Sequence, residues 1–212
     1  CDTHRYSLFL AWCRPRLERI ASKNSCIRSG VVTTFATNAA GLVQAVNNLR
    51  LRRVDASLPR MGVGRALLTC TTLDDALRLL ARHNACGGFH MTLAQAGDPR
   101  LMSIEFGGGD CSIKDIGTPS VHANHALHMG HGAKDQLVTA SSRDRQARGT
   151  DMLAEGARNP LHILRDTGGA GLPIHRCHAD DPDNENTLAS AVFRVGSSTV
   201  DWSIYDQTSD SP

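Results

Sequence analysis

Three pairs of β-rich segments, each closed by a short turn, constrain this chain more than any other pattern in it. Residues 31–36 and 42–46 flank Asn38-Ala39-Ala40-Gly41, 89–95 and 101–106 flank Gly97-Asp98-Pro99, and 188–195 and 199–205 meet at Gly196-Ser197-Ser198. Turns this short join antiparallel neighbours, because a parallel pair needs a crossover of a dozen residues or more. Helical signals are grouped between these pairs rather than alternating with single strands. A short helix is expected at 64–70. Thr72 with Asp75 three positions on caps a second, with Leu73, Ala76, Leu77 and Leu80 on one face and an end near Asn84. Residues 142–156 and 160–164 give two more, Gly107-Gly108-Gly109-Asp110 breaks the strand before it, and 168–171 reads as loop. Hairpins with segregated helices argue for an α+β fold with largely antiparallel sheets. Residues 2–30 show little periodicity and carry Pro15 among clustered arginines.

Length and composition bound the rest. The 212 residues suit one domain, 1–212, and no apolar run approaches the ~18 residues of a membrane helix. A formal charge of +2 is too small to imply nucleic acid, despite the basic stretch at 14–28. Seven cysteines with no CxxC pair fit a reduced, cytoplasmic protein. No GxGxxG opening a helix, P-loop, GxSxG elbow or HExxH is present.

Three constellations could carry chemistry. Cys1 joins a thiol to an α-amino group, which titrates near ~8 and can serve as the thiol's base without a histidine. His122, His125, His128 and His131 follow one another at three-residue steps. On a helix such steps drift by about 60° each, so four cannot converge on one ion; a smaller site using His122, His125, His175 and His178 is the alternative, metal-binding reading. Ser142, Arg143 and Arg145 place a hydroxyl beside guanidinium groups suited to an acidic substrate, or simply to a solvated helix face.

Several segments, in order, resemble the acyl-coenzyme A:6-aminopenicillanic acid acyltransferase family of self-cleaving N-terminal cysteine enzymes. They are Asn38-Ala39-Ala40-Gly41-Leu42 with Asn47-Asn48-Leu49, Gly62-Val63 with Leu67-Leu68, Thr72 to Ala76, Ile104-Glu105, His122-Ala123-Asn124-His125, Ser142 to Arg145, His175 to His178 and Thr187 to Ser190. The resemblance implies a four-layer αββα sandwich, the fold of N-terminal nucleophile hydrolases. The chain would be the mature β chain, with an α peptide released from the same precursor when the Cys1 thiol attacks the bond before it. It also implies Cys1 as nucleophile toward a small amide or thioester, Asn124 as an oxyanion donor, and Ser142, Arg143 and Arg145 near the substrate. No cofactor, metal, nucleic acid or membrane partner is expected, and self-association is left open. Residues 2–30 lack the family's Asn-x-Asp-Trp/Phe-like element, which makes a catalytically inactive relative the third reading.

Overall fold

The turn at 38–41 shows how local chemistry sets the architecture. Asn38 Oδ1 accepts from the amides of Ala40 and Leu42, at 3.0 and 3.1 Å, which closes the turn. Its Nδ2 donates to the carbonyls of Leu68 and Cys70, at 3.1 and 2.8 Å. One side chain therefore makes a hairpin and ties it to the end of the helix that follows.

The computed structural model describes residues 8–9, 35–52, 58–130, 134–177 and 186–206. In chain order the elements are β1 (Leu8–Phe9), β2 (Phe35–Thr37), β3 (Leu42–Asn48), α1 (Arg60–Leu67), α2 (Leu73–Arg82), β4 (Phe89–Gln95), β5 (Leu101–Gly107), β6 (Asp110–Asp115), β7 (Val121–His122), α3 (Ala140–Ala154), α4 (Pro160–Leu164), β8 (Ala189–Val195) and β9 (Val200–Asp206). Strands β2-β3-β4-β5-β6 form one antiparallel sheet in sequence order, and β8-β9 form a hairpin. β1 pairs with β7 in parallel, Leu8 opposite Val121 and Phe9 opposite His122. The protein is thus a mixed α/β fold with mainly antiparallel sheets, as the hairpin pattern implied. Among the described residues no helix is long and apolar enough to cross a membrane.

The two faces of the five-stranded sheet differ in chemistry. On one, Leu42, Val46, Phe89, Met91, Leu93, Met102, Ile104 and Phe106 are buried against Val63 and Leu67 of α1 and Leu73, Ala76 and Leu80 of α2. Fully burying each large side chain contributes about 1.5–3 kcal/mol. The expected Thr72 cap is present, its hydroxyl accepting from Asp75 N–H at 3.1 Å. On the other face Asn47, His90, Glu105 and Ser112 stand in one row across β3, β4, β5 and β6. The first three of these are buried. Alternation along each strand sends apolar side chains to the helices and polar ones to this second face.

The hairpin β8-β9 meets that second face at its edge, where the rings of Phe35 and Phe193 pack edge to face with centroids 6.3 Å apart. Val192, which points the other way, packs against a cluster containing Met152 of α3 with Ile163 and Leu164 of α4. α3 lies directly on β7: a side chain at Gly149 would bring its Cβ to 2.8 Å from a methyl of Val121.

Three elements depart from the sequence pattern, the first being α1, which begins after Pro59 and runs Arg60–Leu67 rather than 64–70. The glycine run that ends β5 does not end the sheet: Gly107, Gly108 and Gly109 adopt positive φ and turn the chain into β6, a polar edge strand whose outer half is exposed. Residues 121–130 form no helix, only the two-residue β7 followed by an extended loop.

Gln44 breaks the division between faces. It lies opposite Leu93 among the helix-facing side chains, is fully buried, and neither its Oε1 nor its Nε2 has a partner among the described residues. An unsatisfied buried amide costs about 1–3 kcal/mol, and Met has nearly the same shape. Gln44→Met is expected to raise the unfolding free energy by about 1–2 kcal/mol in urea titrations; no gain would mean that the amide has a partner in solution.

Candidate active site

The loop after β7 is built around one carboxylate. Glu105, in the middle of the polar row, is fully buried and accepts four hydrogen bonds. Oε1 takes His122 Nε2–H at 2.7 Å and Leu127 N–H at 2.6 Å. Oε2 takes the amides of His128 and Met129 at 2.8 and 2.6 Å. Burial alone would raise this carboxyl's pKa, but the His122 bond and the backbone amides outweigh it and hold it at about 2. The carboxylate is therefore charged at every physiological pH.

Histidines surround it. The His122 ring stacks on that of His90 with centroids 3.4 Å apart and planes within 1° of parallel. Burial, followed by the neighbouring His122 and His128, lowers the His90 pKa well below its ordinary value, so that ring is neutral. Ser103 Oγ lies 2.9 Å from His90 Nε2 and 3.0 Å from His128 Nε2, and His128 Nδ1 lies 2.8 Å from Ser112 Oγ. His90 Nδ1 is buried without a partner among the described residues. A bare lone pair there is tolerated better than an unpaired N–H, so the chain runs from His90 Nε2–H to Ser103, from Ser103 O–H to His128 Nε2, and from His128 Nδ1–H to Ser112. The His128 pKa is likewise lowered, by burial above all.

Helix α3 supplies the other side. Thr139 caps it, its hydroxyl accepting from Ser142 N–H at 3.2 Å. The spacing 141, 142, 145, 149 then turns Ser141, Ser142, Arg145 and Gly149 inward, all buried. Gln146 bridges β7, taking Ala123 N–H at 2.8 Å and donating to Val121 O at 2.9 Å. Ser142 Oγ accepts Asn124 N–H at 2.8 Å and lies 2.8 Å from His125 Nδ1. Its own hydrogen has no other acceptor among the described residues, so it is directed at Nδ1 and leaves the ring hydrogen of His125 on Nε2. Burial, then the charge of His122, lowers the His125 pKa and keeps this ring neutral. Arg145 donates to Asn124 Oδ1 at 2.9 Å, while Asn124 Nδ2 donates to Asn48 O at 3.2 Å. Asn47 Nδ2 holds the carbonyls of His122 and Ala123 at 2.8 and 2.9 Å.

Of the residues singled out from the sequence, Asn124, Ser142 and Arg145 come together here. Arg143 is on the same helix turn but exposed, and it takes no part in these bonds. Cys1 lies outside the described residues, as do His131 and His178. His122 and His125 are engaged by Glu105 and Ser142, while His175 is buried beside Ile174 in the α3-α4 cluster. Among the described residues no three His, Cys, Asp or Glu side chains gather as a metal ion requires. Glu105 and Asn47 entered the sequence reading only within the segments Ile104-Glu105 and Asn47-Asn48-Leu49, with no role attached, and His90 and Gln146 were not singled out. For Glu105, His90 and Asn47 the signal was a polar residue at an inward position of an apolar strand, and Gln146, on α3, had no such signal.

Because the folded pKa of Glu105 is depressed, its contribution to stability is complete above its ordinary value of 4.5 and is lost as pH falls toward about 2. A shift of that size corresponds to about 3 kcal/mol. Urea unfolding of the wild type is expected to weaken across that window. Glu105→Gln is expected to be less stable at pH 6 and to lose less on acidification. Parallel pH profiles for the two proteins would contradict this assignment.

The acyl-coenzyme A:6-aminopenicillanic acid acyl-transferase family matches residues 21–208. The chain is similar to the beta-alanyl-dopamine/carcinine hydrolase of Drosophila melanogaster, with 26% identity over 200 residues, 84% of this chain and 49% of that protein. It therefore spans about half the length of this curated relative. The match over most of the sequence, with Asn124 and its partners inside it, shows that the chain belongs to the acyl-coenzyme A:6-aminopenicillanic acid acyl-transferase family.

Proposed function

We propose that this chain is an amide hydrolase or acyltransferase that works through an acyl-enzyme on Cys1. The observation that carries the reading is the fixed orientation of Asn124. Arg145 grips its oxygen and Asn48 takes one hydrogen of Nδ2, so the amide cannot rotate and its second N–H remains to be offered to a reacting carbonyl. The Arg145 charge on Oδ1 also polarises the amide and strengthens it as a donor. Family membership and the hydrolase relative support the same class of reaction.

In turnover the Cys1 thiol passes its proton to the α-amino group and its sulfur attacks an amide or thioester carbonyl. Asn124 stabilises the oxyanion, the leaving amine or thiol takes the proton, and water or an amine then releases the acyl group. Maturation would use the same thiol, with a base other than the α-amino group, which is still acylated in the precursor. An N-to-S shift breaks the amide before Cys1, freeing the α-amino group and forming a thioester, which water hydrolyses to free the thiol and an upstream α peptide. Arg143, exposed at the head of α3, is assigned to a hydrogen-bond-accepting group of the substrate, with Ser142 and Arg145 acting through the Asn124 loop. The layers are read as α1-α2, the five-stranded sheet, β8-β9 with β1-β7, and α3-α4, an αββα order supported by the Phe35–Phe193 and Val192 contacts.

β-Alanyl-dopamine and carcinine, the compounds in the relative's name, are the first substrates to assay. Asn124→Ala is expected to lower kcat by about 10²–10³ with little change in KM, circular dichroism confirming the fold. Asn124→Asp should be at least as damaging, since it sets a carboxylate oxygen against Asn48 O and near the developing negative charge. Near-full turnover by both variants would remove Asn124 from the mechanism. Cys1→Ala in the full-length precursor should leave a single band on a denaturing gel; two bands in a protease-free preparation would rule out self-cleavage by this thiol.

A further inference from the structure

We propose that Glu105 is the positioning residue of the oxyanion site, a role that rests on the reading of Asn124 given above. The loop that presents Asn124 is bound to this one carboxylate at both ends. At its start, His122 Nε2 donates to Oε1; at its end, Leu127, His128 and Met129 donate through their backbone amides to Oε1 and Oε2. Asn124 and His125 lie between the two attachments, and only there do the α3 side chains Ser142 and Arg145 reach the loop. A carboxylate offers about four acceptor sites, and all four are taken. Glu105 therefore fixes where the loop begins and ends, and α3 then orients the amide within it.

Glu105 does this without meeting substrate, since its side chain is fully buried beneath the loop. A neutral amide of the same shape cannot replace it. Gln at 105 turns an NH₂ group toward two of the four donors, either His122 and Leu127 or His128 and Met129, so in both orientations the end of the loop loses at least one backbone attachment. Release of one end shifts Asn124 relative to the carbonyl it stabilises, and a displacement of about 1 Å costs on the order of 10²-fold in rate.

The test is a double-mutant cycle in the mature protein with Glu105→Gln and Asn124→Ala, scored by kcat and KM and by amide exchange at Leu127, His128 and Met129. Glu105→Gln is expected to lower kcat about 10²-fold with KM nearly unchanged, and to add little once Asn124 is already Ala. Exchange at the three loop amides should accelerate far more than exchange in β4. Additive losses in kcat, or loop amides that stay as protected as in the wild type, would overturn the proposal. If Asn124→Ala alone leaves kcat intact, the oxyanion reading fails, and the exchange rates still decide whether Glu105 holds the loop. Should Glu105→Gln not fold, His122→Phe replaces it in the cycle. That change keeps a ring against His90 and removes the N–H at one end of the loop, so the same non-additivity is expected and additivity is again disproof.

Discussion

A carboxylate buried beneath a loop and saturated by four N–H donors is the interaction on which the rest of this site depends. An unpaired charge at such depth would cost several kcal/mol, so the loop and the sheet specify each other. Without 121–130 folded over β5, Glu105 would be a buried anion with no counterpart. Without Glu105, three consecutive amides and an imidazole N–H would turn inward toward nothing. The histidine rings around the pair complete the exclusion of water, and the His90–Ser103–His128–Ser112 chain satisfies nearly all of the polar atoms this brings indoors.

The same sheet does two jobs because its strands alternate cleanly. Helix-facing positions make an ordinary apolar core, from Leu42 to Phe106, that needs nothing but volume. The opposite face carries Asn47, His90 and Glu105 in register, each contributed by a different strand. Pairing register rather than sequence proximity therefore assembles the polar row. A slip of one residue in β4 would exchange His90 for an apolar neighbour and expel it from the row.

How far this could be read from the sequence follows from where each signal resides. The hairpin turns, the Thr72–Asp75 cap and the helix Pro160–Leu164 are local, set by turn residues, caps and short-range period, and they appear in the structure close to where the pattern puts them, although 31–34 of the first expected strand lie outside the described residues. β6 was hidden because an exposed edge strand reading Asp-Cys-Ser-Ile-Lys-Asp has neither alternation nor a solid apolar face. α3 was legible as a helix, but its inward face was not, because Ser141, Ser142 and Arg145 are the buried side and look like solvent-facing residues in any hydropathy pattern. Asn124 and its arginine came from motif resemblance, which marks chemistry without geometry. The role of Glu105 lay beyond both methods, since it exists only once residues some twenty positions later fold back over it.

The close seating of α3 on β7 has a consequence for how the two sides of the site can vary. At Gly149 the helix backbone rests against the methyls of Val121 with no side chain between them. The distance from the serine and arginine side chains to the loop is thereby set by bare main chain, at a point about one helical turn from Arg145 and two from Ser142. Any side chain acquired at this glycine would act as a wedge under the helix. It would tilt Ser142 and Arg145 away from Asn124 while leaving every residue of the site itself unchanged. A lineage could lose the arrangement through a position that touches none of the chemistry, and a survey confined to the site residues would find nothing altered.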